Sequence, residues 1–115
     1  MENSNPESFL PLTPAVVNIL LALADGEKHG YAIMQEVETI TDGQMTMGPG
    51  TLYGALKRLL EMGLVAESDE RPDPALDDER RRYYRLTPLG QQVLAAEVKR
   101  LSALTAAAQA RMALE

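Results

Sequence analysis

Three times in 115 residues a threonine or glycine stands directly before a proline: Thr13-Pro14, Gly48-Pro49 and Thr87-Pro88. Proline at the first helical position sacrifices no hydrogen bond, because that N–H has no partner in a helix, and its φ is already helical. A threonine ahead of it can accept a bond from an orphan amide of the first turn. Each pair marks a helix start, and glycines mark the ends: Gly26 after Ala24-Asp25, Gly43 after Thr41-Asp42, and Gly63 after Glu61-Met62. This punctuation predicts helices near 14–24, 30–41, 49–62 and 88–113.

The apolar pattern agrees. Ile33, Val37 and Ile40 recur at helical spacing, as do Leu52, Leu56, Leu59 and Leu60, which leaves Thr51, Gly54, Lys57, Arg58 and Glu61 on the other face. Between Gly63 and Thr87 the period changes. Leu64-Val65-Ala66-Glu67 and Arg82-Tyr83-Tyr84-Arg85-Leu86 read as two strands joined by a polar loop, a β-hairpin with Tyr84 and Leu86 on one face and Tyr83 and Arg85 on the other. The fold class is mainly α with a small β-hairpin: a winged helix-turn-helix followed by a long C-terminal helix. Residues 1–11 are expected to be a flexible leader, 12–87 the winged domain, and 88–115 a dimerisation helix.

Composition narrows the function classes. Apolar residues make up 45% of the chain, enough for one compact core. There is no cysteine, and the polar, acidic start lacks a signal-peptide layout, so a reducing cytoplasmic setting is expected. The stretch Ala15 to Ala24 is too short to span a bilayer, and no membrane partner is expected. Net charge is −6, which opposes indiscriminate nucleic-acid binding, but the charge is uneven. Residues 1–47 carry seven acids and one base; residues 48–63 carry one acid and two bases. In the hairpin region the seven acids lie between Glu67 and Glu79, and four of five arginines between Arg80 and Arg85. Charges beyond a Debye length of about 8 Å are screened, so a local basic stripe on an acidic body can still hold phosphate.

Four segments resemble the PadR-like regulators: His29-Gly30-Tyr31-Ala32-Ile33, the run Gly50-Thr51-Leu52-Tyr53-Gly54-Ala55-Leu56-Lys57-Arg58-Leu59, Gly63-Leu64-Val65, and Arg82-Tyr83-Tyr84-Arg85-Leu86-Thr87-Pro88-Leu89-Gly90. The likeness runs from about residue 12 to residue 94. It implies a transcriptional regulator, usually a repressor, with the third helix in the DNA major groove and the hairpin loop as the wing beside it. It also implies a C-terminal dimerisation region, which in the short form is one long helix. Gly48 and Gly54 stand where the family often has serine and proline, and this wing is unusually acidic.

Candidate contacts to double-stranded DNA follow. Gly50, Thr51 and Tyr53 open the third helix near phosphate or base edges, with Lys57 and Arg58 on the backbone; the alternative makes Tyr53 core and the others solvated surface. Arg80, Arg81 and Arg82 form a basic run at the wing's root, which either meets phosphate or pairs with Asp77, Asp78 and Glu79. Gly30 and Tyr31 can present a backbone N–H and a phenol to phosphate at a helix N-terminus. His29, the single histidine, has no second ligand type beside it and is expected to cap or pack. No nucleophile–base–acid set, phosphate loop or metal-ligand spacing is present, so neither an enzyme nor a cofactor is expected.

Along the last helix Leu94, Val98, Leu101, Thr105, Ala108 and Met112 step by four and three, a coiled-coil seam that points to a homodimer. The expected function is sequence-specific binding of a palindromic operator by that dimer, repressing a nearby gene. A winged-helix module that binds protein instead of DNA is the rival reading. A small-molecule effector is compatible with the first, but relatives that hold planar drugs between tryptophans give no guide to a chain without Trp.

Overall fold

The computed structural model describes residues 5–68 and 82–112. Four helices and three short strands follow in the order α1 (Pro14–Ala22), β1 (Lys28–His29), α2 (Gly30–Ile40), α3 (Pro49–Glu61), β2 (Val65–Ser68), β3 (Tyr83–Leu86) and α4 (Pro88–Met112). This is the winged-helix plan read from the sequence, ending in a long C-terminal helix. The proline-marked starts are where the sequence put them. Thr13 accepts from the Val16 N–H at 3.1 Å to cap α1, and Thr87 accepts from the Gly90 N–H at 2.9 Å to cap α4.

The helix ends differ in detail. At the end of α2 the left-handed position is taken by Asp42 (φ 54°) ahead of Gly43, whose N–H reaches the Glu38 carbonyl at 2.8 Å. At the end of α3, Gly63 (φ 79°) turns the chain so that its N–H meets Leu60 and the Leu64 N–H meets Leu59. Those two bonds satisfy carbonyls that the helix itself leaves open.

The sheet has one strand more than the predicted hairpin. Its order is β1-β3-β2, with β3 antiparallel to both neighbours. Val65 faces Leu86 and Ser68 faces Tyr83 across the hairpin, while Lys28 faces Tyr84 and His29 faces Tyr83 on the far side. Two residues carry no readable alternation, so β1 exists only because β3 offers its second edge. On β3 the alternation holds: Tyr84 and Leu86 are buried, and Arg85 is exposed. Burial also pushes the Tyr84 phenol above its ordinary range.

One core joins these elements. Ile19 and Leu20 of α1 meet Ile33 and Val37 of α2, Leu52, Leu56 and Leu59 of α3, Leu64 before the sheet, and Val93 of α4. The described part of the presumed leader packs onto the same body. Pro6–Phe9 form a 3-10 turn lying on α4, and Phe9 and Leu10 close the core's edge.

A buried carboxylate fastens this segment. Glu97 of α4 is 1% exposed, yet accepts bonds from the Leu12 N–H at 3.1 Å and from Arg100 Nε and Nη2 at 2.7 and 3.0 Å. The Arg100 guanidinium holds the Glu97 carboxyl below the usual glutamate range, outweighing the opposing effect of burial; the Leu12 N–H adds to the lowering.

Candidate nucleic-acid interface

Helix α3 is amphipathic because leucines recur every three or four positions, so one face is drawn into the core and the other must point out. Leu52, Ala55, Leu56 and Leu59 are buried. Gly50, Thr51, Lys57 and Arg58 are exposed, and Gly54 between them is half-buried. Neither Lys57 nor Arg58 belongs to an ion pair among the described residues.

The start of α3 differs from the starts of the other three helices. Side chains of Thr13, His29 and Thr87 each accept an amide bond from the first turn of their helix. Gly48 has no side chain to do this, and α3 opens at an exposed Gly48-Pro49-Gly50-Thr51 without such a bond. Its first-turn donors are left to an external acceptor, and the helix dipole favours a negative one.

Two candidates are packed instead of open. Gly30 is buried, and a methyl added to it would lie 2.1 Å from the Tyr53 hydroxyl oxygen. Tyr53 is half-buried and spans from α3 to the first turn of α2, filling the place a side chain at position 30 would need. Tyr31 is exposed, and its ring stacks on His29 with centroids 6.5 Å apart. The His29 ring also meets Tyr83 of β3 edge-on at 5.5 Å, and its Nδ1 accepts the Ala32 N–H at 3.2 Å. The histidine is therefore a cap that props Tyr31 beside the wing strand.

Of the basic run, Arg82 is exposed and donates to Glu67 at 3.1 Å; Arg80 and Arg81, with Asp69, Glu70, Asp73, Asp77, Asp78 and Glu79, lie outside the described residues. Such a surface pair is worth about 0–1 kcal/mol, so phosphate can compete for the guanidinium. Arg85 donates to the Glu67 backbone carbonyl at 3.1 Å, a basic residue of the sheet that the sequence reading did not single out. Among the described residues no group of three or more His, Asp or Glu could hold a metal, and no helix is long and apolar enough to cross a membrane.

The seam residues of α4 divide in two. Leu94 is 7% exposed and belongs to the chain's own core, whereas Val98 is 50%, Leu101 37% and Met112 65% exposed. Thr105 is exposed and Ala108 half-buried. Glu97 and Leu12 were not flagged by the sequence, because a carboxylate on a helix reads as a solvated face until its distant partner is known.

Comparison with known proteins bears on this arrangement. The model of the "Transcriptional regulator PadR-like family" matches residues 19–96. Over 87 residues the chain is 39% identical to a 37.1 kDa protein of transposon TN4556 from Streptomyces fradiae, covering 76% of this chain but only 23% of that protein. A transcriptional regulator from Clostridium thermocellum superposes with a TM-score of 0.64 at 26% identity, over 79% of this chain and 85% of that one. Bacillus subtilis PadR, solved in complex with operator DNA, superposes with a TM-score of 0.64 at 24% identity, over 76% of this chain and 47% of its own.

Proposed function

Since the chain belongs to the PadR-like family of transcriptional regulators, we propose that it binds a palindromic operator as a homodimer and represses a nearby gene from the cytoplasm. One observation carries the reading. The exposed part of α3 combines an N-terminus without a side-chain cap and, about two turns on, two cations without ion partners among the described residues. That is the equipment a helix needs to dock on phosphates beside a major groove. Gly50, Thr51, Lys57 and Arg58 would meet DNA directly. Tyr31 and Arg82 would reach the flanking backbone, while Gly30 and Tyr53 would hold α2 against α3. Arg80 and Arg81 are assigned to phosphate from the sequence alone.

The dimer part of the proposal is supported by α4. A helix of 25 residues is about 38 Å long. Along it Val98, Leu101, Leu104 and Met112 are exposed among the described residues. Two such helices side by side would cover both stripes and present two α3 helices to half-sites about 34 Å apart.

The test is salt dependence. Lys57→Ala combined with Arg58→Ala removes four phosphate contacts per dimer, and the slope of log K against log salt is expected to shrink by about 3.6. An unchanged slope would put these side chains elsewhere. A wild type with no affinity for the DNA upstream of its gene would favour a protein-binding module.

A further inference from the structure

We infer that the junction of Gly63-Leu64 with Thr87 to Gly90 locks the angle between α3 and α4, and thereby selects which half-site spacing the dimer accepts. The inference rests on the dimeric operator reading above and deepens it. At this point hydrogen bonds tie the end of α3 directly to the start of α4. Leu64 ends α3 through its N–H to the Leu59 carbonyl at 3.0 Å, and its own carbonyl accepts the Thr87 N–H at 3.1 Å. The Thr87 hydroxyl then works in both directions, donating to the Gly63 carbonyl at 2.6 Å while accepting the Gly90 N–H at 2.9 Å. One oxygen thus ties the turn that closes α3 to the first turn of α4. Pro88 fixes the next backbone angle.

Gly90 completes the lock. A methyl at this position would lie 2.0 Å from the Leu64 carbonyl oxygen and 3.0 Å from its carbon. Those are backbone atoms within a hydrogen-bonded turn and cannot swing aside as a side-chain tip can. The helix therefore approaches the chain as closely as a helix can, and only glycine permits it. Immediately beside this contact Val65 pairs with Leu86, so the root of the wing is fixed by the same cluster.

Small angles matter here because α4 is a lever. Turning a helix of about 38 Å by roughly 5° moves its far end by about 3 Å, comparable to one base-pair step of about 3.4 Å. Inserting one base pair also rotates the second half-site by roughly 34°. A dimer with a stiff junction can satisfy one spacing; a dimer with a loose junction can satisfy several.

The decisive measurement is spacing preference. Operator duplexes recovered by selection from a random-sequence library are remade with the half-sites moved closer or farther by one and two base pairs. Wild type and Thr87→Ser, which keeps the hydroxyl, should prefer the selected spacing by about tenfold or more. Thr87→Val, which keeps the shape but not the hydroxyl, should lose most of that preference while remaining a dimer, and Gly90→Ala should move the optimum.

A second readout needs no DNA. The chain has no cysteine, so spin labels at Thr51→Cys, at the far end of α3 from the junction, and Ala110→Cys, diluted with unlabelled protein, report the angle between α3 and α4 as a distance. The distribution should be narrow in wild type and Thr87→Ser, and broad in Thr87→Val. Equal widths, spacing preferences identical to wild type, or equal affinity loss at every spacing would overturn the junction's role. So would a Thr87→Val chain that does not fold. Narrow distributions in a protein that ignores DNA would instead overturn the operator reading alone.

Discussion

The two halves of α4 share one helix and one apolar period but live in different surroundings. From Pro88 to Glu97 the inward positions Gly90, Val93, Leu94 and Glu97 are buried within the chain's own fold. From Val98 to Met112 the apolar residues Val98, Leu101, Leu104 and Met112 are exposed among the described residues, and Ala108 is half-buried. Periodicity cannot distinguish these halves, because it reports which face is apolar and not what covers it. The first half is also pinned by polar contacts, at Thr87 and at Glu97, while none of comparable reach occurs beyond Arg100 among the described residues. Anchoring one half and freeing the other suits a helix shared between its own domain and the proposed partner.

The largest effect should come from the free half. Leu101→Glu places a charge in the proposed seam, where an unpaired buried charge is far costlier than lost methyl groups. The variant should sediment as a folded monomer and lose about 10²–10⁴-fold in operator affinity, the gain that linking two sites ordinarily provides. Retained dimerisation would erase the distinction between the halves.

A smaller effect of another kind belongs to the anchored half. Leu94→Ala should cost about 2–4 kcal/mol of stability, as leucine truncation in a packed core does. If the loss is intrinsic to the protomer, the destabilisation read by denaturant titration should be much the same in the Leu101→Glu background. A loss seen only in dimers would assign Leu94 to the interface after all.

The smallest effect concerns Glu97 and sharpens the account of how the anchored half is held. Its folded-state pKa is depressed, chiefly by Arg100, so its ionised form stabilises the fold above the unfolded glutamate range of about 4.3 and this contribution fades as pH falls through the lower folded value. The thermal midpoint of wild type should exceed that of Glu97→Gln at neutral pH, and the gap should narrow below about pH 4. A gap independent of pH would mean that shape, not charge, holds Leu12 to α4.

Much of the fold was legible because its signals are local. Thr13-Pro14 and Thr87-Pro88 cap their helices by bonds spanning three residues, and the alternation of Tyr83 to Leu86 sorted buried from exposed positions correctly. The exposed candidates on α3 followed from the spacing of its leucines. Residues whose partners are remote were harder to read. Lys28 and His29 belong to no element that the local pattern predicts, yet they pair with β3, and Tyr53, open to DNA contact or to packing on its spacing alone, has its hydroxyl over Gly30.

What the sequence determined by itself, then, is the set of elements, their order and the sidedness of each, since backbone capping and side-chain period act within a few residues of one another. What only the tertiary structure decided is which apolar and charged positions are already taken. Glu97 finds the Leu12 amide 85 positions away, Leu94 is claimed by the chain's own core, and Gly90 rests on the Leu64 carbonyl. Such pairings depend on how helices and strands are set against each other in space, and the energy that fixes them comes from burial of surfaces remote in the chain.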